Sequence, residues 1–449
     1  MSISAFAGSP LMISPQLLAD EGLILKNALQ TCQSFPKYYT DFEAVREFKT
    51  KILHLAYRNF LANPYQDFKL FLEKNKFWLE DYALFMSLKE IYPFRGWSEW
   101  PENAKFTSDK GRHLLLLQNE KRINYYQFEQ FIFYHQWNLL RSYAREKKIK
   151  LFGDLPIYMS YDSADVWANS ELFLLNPESR KPTYVSGVPP DYFSKTGQRW
   201  GNPLYNWHDK DESVREKLFD WWVKRLAALF EQVDTARIDH FRAFESYWAI
   251  PENESTAVKG EWLKGPGKDF FTMIASNLGQ LDIVAEDLGI ITPEVEKLRD
   301  DLGFPGMKVL QFGFDGNTEN SHLPHNFTTP NCVTYTGTHD NDTTVGWFFS
   351  DLLDDKQRTY IKKMVNRDLK DNSLIHRDLM YLAQSSISQL TIFPLQDILG
   401  FGNDCKMNSP GIPDGNWKWR CGDEFLTSDI AENLRFSTRL FGRGRKDQT

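Results

Sequence analysis

From residue 151 onward, short apolar or β-branched runs alternate with helix-like stretches, and this alternation constrains the fold more than any other feature. The runs span residues 151–159, 235–241, 282–288, 307–314, 333–338 and 390–395. Residues 213–230 and 292–302 read as helices between them, the second with Thr292 as N-cap, Pro293 in the first helical position and Glu296 nearby. Strand–helix alternation of this kind predicts a parallel sheet and hence an α/β chain. Most of the runs contain or end in polar residues: Asp154, Asp239, Glu286, the pair His339–Asp340 and the pair Gln396–Asp397. In a TIM-type (β/α)8 barrel the strand C-termini converge on one face, and active sites lie there. Six runs are visible, whereas a closed barrel of this type needs eight.

Upstream the pattern is helical. Apolar residues recur at helical spacing in 41–60 and 77–91, and 122–148 reads as a further long helix. No hairpin signal, repeat or low-complexity segment interrupts it. The expected organisation is an N-terminal part, 1–150, carrying a helical insertion subdomain, followed by a catalytic barrel over 151–449, in one continuous catalytic unit.

Composition narrows the function classes. The net charge of −7 speaks against nucleic acid, whose binding needs clustered Lys and Arg. The basic tail around Arg443 and Lys446 reads as a solvated end. No apolar run long enough for a transmembrane helix is present, and the start lacks the pattern of a secretory signal. Cys32, Cys332, Cys405 and Cys421 show no metal-type spacing and read as reduced thiols, so a cytoplasmic protein is expected. The 14 tryptophans have two readings: a large core, or flat surfaces on which the apolar faces of pyranose rings stack.

Three constellations carry chemistry. In Ala236-Arg237-Ile238-Asp239-His240-Phe241 an extended backbone turns Arg237 and Asp239 to one side. An arginine there favours an ionised carboxylate, as a nucleophile or charge stabiliser requires; a buried ion pair has the same pattern. In Val284-Ala285-Glu286-Asp287-Leu288-Gly289 a carboxyl ends an apolar strand. Such a site can raise its pKa for general-acid work, although a helix-capping acid is the plainer reading. In Tyr335-Thr336-Gly337-Thr338-His339-Asp340-Asn341-Asp342 the alternatives are a metal site, a polar turn, or a sugar-binding pair on vicinal hydroxyls. Acids on three strand ends of one parallel sheet favour glycosidic chemistry.

Longer segments resemble one family. They are Gly153-Asp-Leu-Pro-Ile-Tyr158, Tyr161-Asp-Ser-Ala-Asp-Val-Trp-Ala168, Gly187-Val-Pro-Pro-Asp-Tyr-Phe-Ser194 and Thr196-Gly-Gln-Arg-Trp-Gly-Asn-Pro-Leu-Tyr205. Further along come Ala285-Glu-Asp-Leu-Gly-Ile-Ile-Thr-Pro-Glu-Val295, Phe393-Pro-Leu-Gln-Asp397, Met407-Asn-Ser-Pro-Gly411 and Gly415-Asn-Trp-Lys-Trp-Arg420. In this order they resemble glycoside hydrolase family 77, the 4-α-glucanotransferases known as amylomaltases or disproportionating enzymes. The resemblance implies that Asp239 is the nucleophile, Glu286 the acid/base, and Asp340 the group holding the distorted sugar. It implies that Asp154, Arg237 and His339 complete the reacting-sugar subsite, that Trp200 and Phe312 line the glucan groove, and that Asn408 contacts it. It implies a two-step retaining transfer between α-1,4-glucans, maltooligosaccharides or glucose, with no cofactor and no metal.

Relative to the family pattern, the chain opens just after the segment that supplies the first two barrel strands, and Ser9 and Ala243 replace the usual Asn and Gly. The expectation is therefore a barrel lacking two strands, in a chain whose true start lies upstream and which has weak or no transferase activity as it stands. Two rival functions follow: an α-glucan hydrolase of the amylase type, and an inactive glucan-binding protein.

Overall fold

The computed structural model describes residues 2–30, 34–106, 109–190, 194–368, 372, 374–412 and 414–444. Cys32, Lys446 and residues 191–193 of the motif from Gly187 to Ser194 lie outside them. The chain forms two compact units, one of residues 1–33 and 45–298 and the other of 34–44 and 299–449.

The first unit begins helical, as the apolar spacing predicts. Its long helices are Phe42–Ala62, which starts in the short segment assigned to the second unit, Phe68–Ile91 and Asp109–Glu146. The last two start well before the expected 77 and 122: in the first, the polar run Glu73-Lys-Asn-Lys76 interrupts the apolar spacing after Leu72, and the second opens on the charged stretch Asp109-Lys-Gly-Arg112. Aromatic rings bind these helices together: Phe60 meets Phe68 edge-on at 5.0 Å, and Phe131 meets Phe68 at 5.2 Å. Seven strands follow: β1 (Phe152–Pro156), β2 (Tyr184–Val188), β3 (Gln198–Pro203), β4 (Thr235–Asp239), β5 (Ser246–Pro251), β6 (Glu261–Lys264) and β7 (Ile283–Ala285). β1, β4 and β7 form a parallel sheet with β4 central. Register sets Asp154 opposite Arg237, Pro156 opposite Asp239, and Ile238 opposite Ala285. Burial follows position: Thr235 to Ile238 and all of β7 are buried, while β1, paired on one side among the described residues, stays largely exposed.

A second sheet, antiparallel in the order β3-β2-β5-β6, has no counterpart in the sequence expectations. Beside the parallel sheet lies an aromatic core. Trp222, Phe244 and Phe270 are buried, and the Trp222 ring meets Phe270 edge-on at 5.5 Å. Burial is thus the use most tryptophans find, among them Trp78, Trp97, Trp167, Trp207 and Trp347.

In the second unit β8 (Gly306–Val309), β9 (Cys332–Tyr335) and β10 (Leu390–Ile392) form a parallel sheet with β9 central. Its core packs Leu310, Phe314, Trp347, Phe348 and Leu379. The six parallel strands of the two units lie at the six runs read from the sequence. Helices follow likewise: Glu212–Gln232 spans the expected 213–230, and Pro293–Asp301 starts where Glu296 N donates to Thr292 O at 3.1 Å. One expectation is corrected. Arg443 is not a solvated end, because its guanidinium donates to the carbonyls of Gln384, Ser386 and Ser388 at 2.7–2.8 Å and so gathers the orphan acceptors after the helix Ile375–Gln384.

Among the described residues no helix is long and apolar enough to cross a membrane, and no group of three or more His, Cys, Asp and Glu side chains is placed to hold a metal ion.

Candidate active site

In the first unit the site grows from the C-terminal ends of β1, β4 and β7. Arg237 and Asp239 stand two apart on β4 and point to the same side. The Arg237 side chain is 8% exposed, and its guanidinium closes a two-point grip on Asp154 of β1: Nε to Oδ1 at 2.9 Å and Nη2 to Oδ2 at 2.8 Å. Nη2 also donates to Asp239 Oδ1 at 3.0 Å. Burial works against the cation. The hydrogen bonds from Asp154 and the charges of Asp154, Asp239 and Glu286 outweigh it and hold Arg237 above its ordinary pKa. The Asp239 carboxylate, 44% exposed, is thus fixed at its Arg-bonded oxygen while the side chain still opens outward.

Glu286 follows β7 directly, and its backbone N–H continues the ladder to Ile238 O at 3.0 Å. Both carboxyl oxygens are held by main-chain donors: Oε2 accepts from His240 N at 2.8 Å and Oε1 from Leu288 N at 2.8 Å. Burial pushes the carboxyl up to about 7, the negative charge of Asp239 adds to this, and Arg237 and the two N–H donors oppose it. The result is a carboxyl that exchanges its proton near neutrality.

The His240 donor is local in origin. His240 adopts a left-handed conformation with φ 55° and ψ 48°, which turns its N–H back toward Glu286 as the chain leaves β4. Its imidazole forms part of a wall: Trp200 of β3 meets it edge-on at 4.8 Å, and Tyr158 lies 6.4 Å away. Burial holds this histidine neutral, with a pKa lowered to about 3, and the Arg242 charge works in the same direction. Its buried Nε2 has no hydrogen-bond partner among the described residues. The structure therefore brings Asp154, Trp200, Arg237, Asp239 and Glu286 onto the first unit's strand ends and their adjoining wall. His240 and Tyr158 join them. Neither was singled out in the sequence, although His240 lies inside the Arg237–Phe241 run.

The second unit carries the remaining candidates. The chain leaving β9 turns at Thr338, whose N–H and hydroxyl both donate to Asn341 Oδ1, at 2.8 and 2.9 Å. That turn presents His339 and Asp340 side by side, with His339 Nε2 3.4 Å from Asp340 Oδ1. Asn408 holds both: its Nδ2 donates to Asp340 Oδ1 at 2.6 Å, and its N–H to His339 O at 3.1 Å. Phe312 follows β8 half-buried, its ring 5.7 Å from that of His322. Asp397, the polar end of the last strand run, is a brace. It is 1% exposed and accepts from Thr336 Oγ1, Thr344 Oγ1 and Thr344 N at 2.5–2.8 Å, so its lone pairs tie the chain after β9 to the helix Thr344–Phe349.

Known proteins resemble this chain over nearly its whole length. Residues 1–425 match the glycoside hydrolase 77 family, described as 4-alpha-glucanotransferase. A 4-alpha-glucanotransferase of Synechocystis is 45% identical over 98% of this chain and 86% of its own length. One of Thermus thermophilus is 42% identical over 97% of this chain and 86% of its own. Among solved structures, an amylomaltase of Streptococcus agalactiae in complex with acarbose matches with a TM-score of 0.93 and 36% identity, over 99% of this chain and 89% of that one. These matches span most of each relative, and the expected truncation gains no support from them.

Proposed function

The chain belongs to glycoside hydrolase family 77, the 4-α-glucanotransferases, and on that premise we propose that Asp239 and Glu286 carry out its transfer reaction as nucleophile and acid/base. It is a hexosyltransferase that passes α-glucan segments between sugars. The rival readings, a hydrolase of the amylase type and an inactive binding protein, are not favoured by relatives that carry transferase names.

The observation that supports the assignment is the contrast between two neighbouring carboxyls. Asp239 is bonded to a buried arginine, which favours negative charge on the attacking oxygen. Glu286 is held near neutrality, so it can hold a proton for the departing glycosidic oxygen and then take one from the incoming hydroxyl. In the first step an Asp239 oxygen bonds to the anomeric carbon, the C–O bond to the leaving sugar breaks, and the Glu286 proton passes to that sugar. In the second step the 4-hydroxyl of an acceptor gives its proton to Glu286, its oxygen bonds the anomeric carbon, and the ester to Asp239 breaks. Two inversions retain the α configuration.

The remaining roles follow the same reading. Asp154, Arg237 and His339 would hold hydroxyls of the reacting glucose, and Asp340, braced by Asn408, would grip it as positive charge develops on the ring. Trp200 and Phe312 would line the groove. The likeness to the amylomaltase fits a (β/α)8 barrel, in which we assign the six described parallel strands to positions three to eight. We likewise propose a helical insertion within 1–150 and a catalytic part over 151–449. Cytoplasmic action is proposed from cysteine usage alone, with Cys332, Cys405 and Cys421 present as thiols.

Maltotriose is the test substrate. Transfer produces glucose together with oligomers longer than the substrate, and Asp239→Ala abolishes both. Products no longer than maltotriose, or an Asp239→Ala variant as active as its parent, would overturn the assignment.

A further inference from the structure

One exposed aromatic in the second unit has no part in the chemistry above. Trp417 lies in the segment that returns past Asn408, and its ring centroid is 5.2 Å from that of His339, tilted by 37°. It is 48% exposed, among the more open tryptophans of the chain. Its backbone adopts φ 62°, a conformation that a bulky L-residue takes only against a steric cost.

The surrounding segment keeps that conformation in place. Trp417 N donates to Met407 O at 2.7 Å. The neighbouring Asn416 accepts from Ser409 N at 2.9 Å and donates to Ile412 O at 2.7 Å, closing the loop on itself. Met407 adjoins Asn408, whose side chain holds Asp340. One stretch of chain therefore grips Asp340 at one end and sets an indole against His339 at the other. A strained backbone that holds a large apolar ring half in water gains nothing from core packing, so its benefit must come from something that covers the ring.

We propose that Trp417 is a sugar-stacking platform, forming a glucosyl subsite beside His339 and Asp340. The occupant is a pyranose ring of the α-glucan itself. Its apolar C–H face covers the exposed indole, while its hydroxyls face the imidazole and carboxylate alongside. The flat ring and the polar pair divide the work between the two kinds of surface a sugar presents. This inference rests on the reading of His339 and Asp340 as sugar-holding groups.

Trp417→Leu keeps apolar bulk and removes the flat face, whereas Trp417→Phe keeps a flat face. With maltoheptaose as substrate, Trp417→Leu raises KM about 10-fold with kcat within about 2-fold, and Trp417→Phe returns KM to within about 3-fold of the parent. An unchanged KM in Trp417→Leu overturns the platform, as does a fall in kcat at constant KM, which would make Trp417 a prop for His339. A second measurement does not depend on turnover. In an Asp239→Asn background, maltoheptaose changes the tryptophan fluorescence, and a large part of that change is absent when Trp417→Phe is added; an identical change in both proteins overturns the proposal. Asp340→Asn, assayed in parallel, separates the two levels. If it is inactive while Trp417→Leu behaves as the parent, the platform alone fails. If it is fully active, the sugar-holding reading beneath the platform fails as well.

Discussion

At the scale of single residues, the balance on Glu286 makes the sharpest prediction. Its proton is needed for bond cleavage, so kcat/KM falls as pH rises through about 7, the value to which burial and Asp239 push this carboxyl. Glu286→Gln lowers the rate by about 100- to 10,000-fold and removes that basic limb from what remains. A basic limb surviving in Glu286→Gln at the same pH would assign it to another group. The pairing of Arg237 with Asp239 was legible in the sequence, because residues two apart on a strand share a side whatever the fold. Asp154 is legible as a polar residue within a strand run, but its two-point grip on Arg237 arises only through the β1–β4 register, which links residues 83 apart in the chain. The donors to Glu286 were not legible at all. They are main-chain groups, set by the left-handed turn at His240 and the chain direction at Leu288, and no residue type announces them.

At the scale of elements, the four inner parallel strands β4, β7, β8 and β9 stood out because they are mostly buried and so read as near-continuous apolar or β-branched runs, while the more exposed β1 and β10 were marked by the polar residues within or just after them. The antiparallel sheet of β2, β3, β5 and β6 did not. Its strands are four to six residues long, contain Gly187, Gly201 and Pro203, and share a small core of Val185, Ile250 and Ala257, so neither length nor alternation marks them. The long helices were legible where apolar spacing is unbroken, and not upstream of the polar run at Glu73–Lys76 or in the charged opening at Asp109–Arg112. One of them carries a hidden titration. Glu129 on Asp109–Glu146 is 6% exposed, and burial, with the Glu90 charge, pushes its carboxyl up to about 7 against the Tyr125 hydroxyl bonded to it at 2.7 Å. An acid whose folded pKa is raised favours folding while it is protonated, and that contribution is lost as pH rises through about 7. Glu129→Gln therefore stabilises the protein at about pH 8 by at most about 3 kcal/mol and leaves it unchanged at about pH 4. Thermal melts at the two pH values check this, and an equal shift at both would rule out the titration as the cause.

At the scale of the whole molecule, charge and substrate are unmatched by design. The chain carries a net −7, whereas maltooligosaccharides carry none, so no long-range field steers one to the other. Capture depends on short-range contacts: stacking, as proposed at Trp417, and hydrogen bonds from charged groups that already have partners. Accordingly, kcat/KM for maltoheptaose changes by less than about 2-fold between about 20 and about 500 mM salt, since screening acts on fields that the substrate does not feel. A steep salt dependence in steady-state rates would reveal a charged element in capture that the two units do not display.

The turn at His240 has a consequence for how such a catalyst is studied and how it drifts. The hydrogen bonds that hold both oxygens of Glu286, and temper the upward push of burial, come from peptide N–H groups, and every amino acid except proline supplies one. Side chains at positions 240 and 288 can therefore change across lineages while the acid keeps its donors. A saturation library at 240 would report on the aromatic wall and on tolerance of a left-handed backbone, and would stay nearly silent about support of the acid. That support is hidden from genetics and open to chemistry: replacing the single amide before His240 by an ester removes the donor and leaves every side chain in place.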